Sequence, residues 1–258
     1  MSKKEDRIKG LLEVLQKRQG VTVKELSNIF DVSEMTIRRD MELLRQNNLI
    51  LDIPGAAIFN ANNAASSADS YSILAATDTR VKEKEKIGQY AASLLEDGDC
   101  VIIDNGTTTE RLAAAIPPYI SVAVLTSNLN IVNRLTQKPN ISITCGGGYY
   151  HQDTGLFESP ESISLINKSR ATKVFCSAAG IHETMGVTCM NSYEVETKRA
   201  AMNSGAQKIL LVDSSKFGLV KSFYLADIAD YDLVITDSEL SAQWREKLQE
   251  QGVKLVIL

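Results

Sequence analysis

From residue 100 onward, short apolar runs rich in β-branched residues recur at Cys100–Asp104, Val122–Thr126, Ile141–Cys145, Val174–Ser177, Ile209–Val212, Leu233–Thr236 and Leu255–Leu258. Helical stretches fall between several of them, at Thr109–Ile116, Leu129–Thr136, Tyr193–Ser204 and Ala242–Gln251. Apolar runs of this length suit strands buried on both faces, and parallel strands need a long crossover, usually a helix. The alternation predicts an open α/β domain with a mostly parallel sheet. A charged helix, Lys82 to Glu96, precedes it, and its KEKEK run reads as a solvated face.

In open α/β sheets ligands bind beyond the C-terminal ends of the strands. The first strand is followed there by Asp104, Asn105, Gly106, Thr107, Thr108 and Thr109, which open a helix. Glycine permits close backbone approach, and hydroxyls with free helix amides suit an anion such as phosphate. Ser127 and Asn128 follow the second strand, and Gly146 and Gly147 the third. Lys216 follows the strand at Ile209–Val212, and Glu194 and Lys198 lie one helical turn apart on another segment. Each feature has a plainer reading, as a cap, a turn or a surface ion pair. Taken together, four polar edges favour a small polyhydroxylated phosphate ester. Neither a P-loop nor a GxGxxG fingerprint is present.

The first sixty residues follow another pattern. Ile8, Leu11, Leu12 and Leu15 make one apolar face of a helix from about Lys4 to Arg18. Thr22 can cap a helix from Lys24 to Phe30, with Leu26, Ile29 and Phe30 inward, and Ser33 a further helix to about Asn47. In that last helix Ile37, Met41 and Leu44 form the buried stripe. Arg39 then points away from it, with Met35 and Thr36 on neighbouring lines and Arg38 at the side. Two helices joined by a tight turn, the second presenting Thr and Arg, are the geometry of a helix-turn-helix that enters the major groove. Leu49–Leu51 and Ala57–Phe59 can form a two-stranded wing. The plainer alternative is a three-helix bundle with solvated arginines.

Residues 60–80, dominated by Asn, Ala and Ser, read as a linker between a domain at 1–59 and another at 81–258. The first sixty residues carry a net charge of +1 and the remainder −5, the signs expected of a DNA-facing domain and an acidic body. The whole-chain charge of −4 excludes binding nucleic acid through sheer cationic excess. Cys100, Cys145, Cys176 and Cys189 form no CxxC pair and have only His151 and His182 to join them, so buried reduced thiols are expected and a metal site is not. The one long uncharged stretch, Leu112 to Asn133, is broken by Pro117-Pro118 and cannot be a lipid-facing helix. A cytoplasmic protein without a membrane partner is expected.

The run VTVKELSNIFDVSEMTIRRDMELLRQNNLI (Val21–Ile50), SEMTIRRD above all, resembles the winged helix-turn-helix of DeoR-type bacterial transcription repressors. DNGTTTERLA, TSNLNIV, GGGYY, AAGIH, GVTC and DSSKFG extend the resemblance over nearly the whole chain. It implies a sensor domain of the ribose-5-phosphate isomerase and coenzyme A transferase fold that answers to sugar phosphates. Ser177–Met202 is most similar to members controlling deoxyribonucleoside catabolism, which implies deoxyribose 5-phosphate. One departure stands in the wing, LDIPGAAIF, which lacks the family's usual cation.

The expected function is a sugar-phosphate-responsive repressor, not an enzyme, and without a cofactor. Ser33, Met35, Thr36, Arg38 and Arg39 would face operator DNA. The strand-edge residues would hold the effector, with Lys198 and Lys216 on phosphate and Asp104 or Glu194 on sugar hydroxyls. A homo-oligomer is expected, because one short helix reads few base pairs. Two rivals are an active sugar-phosphate isomerase carrying a DNA-binding domain, and an oligomerisation module with an empty cleft.

Overall fold

The computed structural model describes residues 7, 10, 11, 14, 15, 21–46, 50–53, 56–59 and 80–258. The expected linker, Arg80 excepted, and most of the first expected helix lie outside the described residues. Two compact units divide the chain, Met1–Ser70 and Tyr71–Leu258.

In the first unit Arg7, Gly10, Leu11, Val14 and Leu15 are helical. Helix α1 (Val23–Phe30) opens on a capping box: Thr22 Oγ1 accepts from Glu25 N at 3.2 Å, and Glu25 Oε2 accepts from Thr22 N at 2.8 Å. Asp31, in the left-handed region at φ 50°, ends it. Helix α2 (Glu34–Gln46) follows, with Ser33 Oγ accepting from Thr36 N at 3.2 Å. Leu11, Leu15, Val21, Leu26, Ile37, Met41 and Leu44 form one buried cluster. Ile29 departs from expectation and is 47% exposed. The buried face of α1 is centred on Val23, Leu26 and Phe30, and at ~100° per residue Ile29 projects to its flank. Strands β1 (Ile50–Ile53) and β2 (Ala56–Phe59) pair antiparallel, Ile50 opposite Phe59.

In the second unit helix α3 (Val81–Ser93) leads into a seven-stranded sheet. Its strands are β3 (Cys100–Ile103), β4 (Val122–Thr126), β5 (Ile141–Cys145), β8 (Ala171–Cys176), β11 (Gly205–Leu211), β13 (Leu233–Thr236) and β14 (Lys254–Ile257). The spatial order is β14-β13-β11-β8-β3-β4-β5, and every pairing is parallel. Successive side chains alternate faces: Val101, Ile103, Phe175, Ile209 and Leu211 join one buried cluster, and Ile102, Val174, Cys176 and Leu210 the other. Helices α3, α4 (Thr107–Ala115) and α5 (Leu129–Leu135) cover the first face through Ile87, Leu112 and Ile131. Helices α6 (Pro160–Lys168), α7 (Ser192–Ser204) and α8 (Ala242–Glu250) cover the second through Ile166, Ala201 and Leu248. A sequence pattern of this kind yields three layers because each strand has two apolar faces to bury.

Two small antiparallel sheets were not legible as periodic runs. The hairpin β6 (Tyr149–His151) and β7 (Leu156–Glu158) is one; β9 (Gly180–His182), β10 (Gly186–Cys189) and β12 (Phe223–Ala226) form the other, in the order β12-β10-β9. The KEKEK run is not wholly solvated: Lys82, Glu85 and Lys86 are exposed, but Lys84 is buried. Among the described residues no helix is long and apolar enough to cross a membrane, and no group of three or more His, Cys, Asp or Glu could hold a metal ion. All four cysteines are free thiols; Cys176 and Cys189 are buried, Cys100 half-buried and Cys145 exposed.

Candidate functional site

In the first unit the capping of α2 leaves its outer face open. Ser33, Met35, Arg38 and Arg39 are exposed and Thr36 is half-buried. The Ser33 and Thr36 hydroxyls share a hydrogen bond of 2.9 Å. Arg38 lies 3.8 Å from Glu34, a solvent-screened pair, whereas Arg39 makes no ion pair with any described residue. Asp40 is buried on the inner side, where Arg7 donates to it at 2.6 Å. An apolar inner stripe with cations opposite is the arrangement a groove-reading helix needs.

In the second unit a small cleft, partly open to solvent, lies beyond the C-terminal ends of β3, β8 and β11. β3 leads to β4 and β5 on one side, while β8, β11, β13 and β14 build outward on the other. The order in which the chain adds strands reverses between β3 and β8, all strands remaining parallel, and such a switch point is where these folds open a crevice. Gly106 joins β3 to α4 in extended backbone, and a Cβ there would sit 2.6 Å from Ser177 Cβ; glycine is what lets the β3 and β8 ends approach. No side chain caps α4, and Thr107 and Thr108 line the cleft.

Asp104, just beneath the wall, accepts from Ser177 N at 3.1 Å and from the Lys198 ammonium. Lys198 Nζ also reaches Ser177 Oγ at 3.2 Å and Asn105 O at 3.4 Å, and lies 3.9 Å from Glu194 Oε2. Burial works to lower the Lys198 pKa, but the charges of Asp104 and Glu194 and the hydrogen bond to Asp104 outweigh it, so the net shift is upward. Glu194 Oε1 accepts from Asn191 N at 3.2 Å, fastening the start of α7, and Oε2 accepts from Asn105 Nδ2 at 2.9 Å. On the facing side are Asp213 and Lys216, carried by the turn Ser214–Lys216 after β11. Lys216 makes no ion pair among the described residues.

The cleft thus gathers Asn105, Gly106, Thr107, Thr108, Glu194, Lys198 and Lys216 from the expected set. Thr109 faces inward and donates to Asp104 O at 2.7 Å and Gly106 O at 2.9 Å. Ser127, Asn128, Gly146 and Gly147 do not line it. Ser127 pairs with Ser162 at 2.8 Å, Asn128 Oδ1 caps α5 through Asn130 N at 3.0 Å, Gly146 N donates to Thr126 O at 2.9 Å, and Gly147 O accepts from Ser159 at 2.8 Å. The Ser127 and Gly147 bonds tie the ends of β4 and β5 to the start of α6. Ser177, Ala178, Ala179, Cys189, Met190, Leu211, Val212 and Asp213 complete the lining. Ser177 to Ala179 are small residues after a strand, the same signal as the others. Cys189 ends β10 and Met190 follows it, and burial pushes the Cys189 thiol up to about 12, which disfavours the thiolate.

Residues 7–63 match the model of the DeoR-like helix-turn-helix domain, and residues 79–238 that of the DeoR C-terminal sensor domain. The chain belongs to the DeoR family. It is 30% identical over 256 residues to the deoxyribose operon repressor of Escherichia coli K12, covering 99% of both chains. It is 30% identical to the glycerol-3-phosphate regulon repressor of the same organism, covering 98% of each, and 29% identical to the transcriptional regulator GolR of Listeria innocua, again covering 98% of each. Among solved structures, ribose 5-phosphate isomerase A of Neisseria gonorrhoeae aligns with a TM-score of 0.39 at 11% identity over 54% of this chain and 53% of the other. As a DeoR-family regulator the protein pairs a DNA-binding helix-turn-helix with a sensor domain.

Proposed function

We propose that the protein represses a sugar or nucleoside catabolic operon, that α2 reads the operator, and that a phosphorylated sugar in the cleft changes operator affinity. The observation that carries this reading is the meeting, at the switch point between β3 and β8, of uncapped α4 amides with Lys216 and a wall of buried polar groups. Amides and ammonium suit phosphate; the polar wall suits hydroxyls. In this reading residues 1–59 bind DNA, 60–80 link, and 81–258 sense. The protein acts in the cytoplasm as a homo-oligomer on symmetric half-sites. The name of the glycerol-3-phosphate relative supports a small phosphate ester as effector and that of the deoxyribose relative a deoxy sugar, which keeps deoxyribose 5-phosphate among the candidates.

A second reading has one observation in its favour. Asp104, Glu194 and Lys198 are a buried charged cluster beside a cleft, a usual setting for proton transfer next to a carbonyl. One experiment separates the two. Operator affinity is measured by fluorescence anisotropy with and without sugar phosphates, and each compound is then analysed for conversion. A regulator shifts its operator affinity and returns the compound unchanged; sustained turnover by pure protein establishes the isomerase. In the same assay Arg39→Ala should cost about 1–3 kcal/mol of operator binding with the fold intact. Unchanged affinity at matched salt removes Arg39 from the interface.

A further inference from the structure

Asn105 lines the cleft and is only 3% exposed. Its orientation is fixed by chemistry, because Glu194 is an acceptor and must face the Nδ2 donor, 2.9 Å away. That leaves Asn105 Oδ1 buried with no hydrogen-bond partner. Buried acceptors are almost always satisfied, and an orphan beside a cleft invites a donor from whatever fills it. The neighbouring cation cannot supply one. Lys198 spends its protons on Asp104, Ser177 and the Asn105 carbonyl. Around Asn105, then, one ammonium stands between two carboxylates, Asp104 and Glu194, and the local balance is negative. Two residues on from Asn105, α4 presents its uncapped start, and on the facing side, beside Asp213, Lys216 makes no ion pair among the described residues.

We propose that the cleft fixes the orientation of its ligand. Phosphate sits on the α4 amides and Lys216, while Asn105 Oδ1 accepts from a hydroxyl of a neutral tail, so that sugar and polyol phosphates are taken and phosphorylated sugar acids are refused. This rests on the sugar-phosphate reading above and adds which end goes where and what the tail must be. Lys198 is then an internal counterion, not a phosphate ligand. A carboxylated tail would bring a third negative charge to Asp104 and Glu194 and would offer Oδ1 an acceptor where it needs a donor.

The test is calorimetric titration of the full chain with inorganic phosphate and three matched pairs of three, five and six carbons: glycerol 3-phosphate with 3-phosphoglycerate, ribose 5-phosphate with 5-phosphoribonate, and glucose 6-phosphate with 6-phosphogluconate. The best neutral ligand should bind about tenfold or more tightly than its own acid, since the acid both repels and leaves the acceptor unpaired. The comparison needs no variant. In Asn105→Leu the advantage of that ligand over inorganic phosphate, both measured in the variant, should fall by about tenfold. An acid that binds as tightly as its neutral partner overturns the proposal, as does an unchanged advantage in a folded Asn105→Leu. Binding of inorganic phosphate with no gain from any tail also overturns it, and leaves the phosphate seat standing. Failure of the wild-type chain to bind any of the seven compounds removes the sugar-phosphate reading and this proposal together.

Discussion

Lys198 and Lys216 look alike in the sequence, two cations near strand ends, yet the structure gives them opposite duties. Lys198 is buried and closes a network with Asp104, Ser177 and Asn105; Lys216 is half-buried at the cleft and unpaired among the described residues. Removing one partner of a buried ion pair leaves the other charge uncompensated, which costs about 3–5 kcal/mol. Lys198→Met should therefore lower stability by roughly that amount in urea unfolding, with ligand affinity lost as a consequence. Lys216→Met should leave the unfolding midpoint nearly unchanged and weaken inorganic phosphate and sugar phosphate alike, by about tenfold, the worth of one charge-assisted hydrogen bond. If the two variants unfold at the same urea concentration, the division of roles is wrong.

At the scale of the element, α3 shows how packing overrides composition. Four charged residues surround Lys84 in sequence, but α3 lies flat against α4, so closely that a Cβ on Gly88 would meet the Arg111 backbone carbonyl carbon at 2.6 Å. Lys84, one turn before Gly88 on the same helix, is buried. Burial lowers its pKa to about 8, with Lys216, Arg111 and Arg80 pushing the same way and Asp213 opposing. The sign of the pH effect follows. Below about 8 folded and unfolded chains both carry the proton; between about 8 and the unfolded value of 10.5 the unfolded chain alone carries it. More protons on the unfolded chain mean that stability rises with pH in this window, as the charge burial penalty is relieved. Urea unfolding at pH 7.5 and pH 10 should show that gain in the wild-type chain, and Lys84→Met should lack it. Equal slopes in the two proteins would show that Lys84 does not titrate there.

Across the whole molecule, the effector matters only through linkage. If the sugar phosphate changes operator affinity by some factor, the operator must change sugar-phosphate affinity by the same factor, measured in the same buffer. Symmetric half-sites add a second expectation: an operator with both half-sites should bind about a hundredfold more tightly than one with a single half-site, through effective concentration alone. Equal affinity for the two DNAs would mean that one chain reads its site alone.

The features legible in the sequence were those set by neighbours along the chain. The capping box at Thr22 and Glu25, the Ile37, Met41 and Leu44 stripe that turns Arg39 outward, and the alternating apolar runs all follow from the helix and strand periods, which a short window contains. So did the Asp104–Thr108 loop, because a strand that passes through glycine into a helix leaves amides free wherever it occurs. What the sequence could not supply was strand order. Four strand ends carried similar polar residues, and only the insertion of β8 beside β3 decided that Asn105 and Lys216 meet Ser177 at one cleft, while Ser127, Asn128, Gly146 and Gly147, beyond β4 and β5, became the bonds of a different edge. The burial of Lys84, the internal pairing of Lys198 and the unpartnered Asn105 oxygen belong to the same class. Each depends on residues tens of positions away in the chain, and periodicity carries no information about which distant segments will touch.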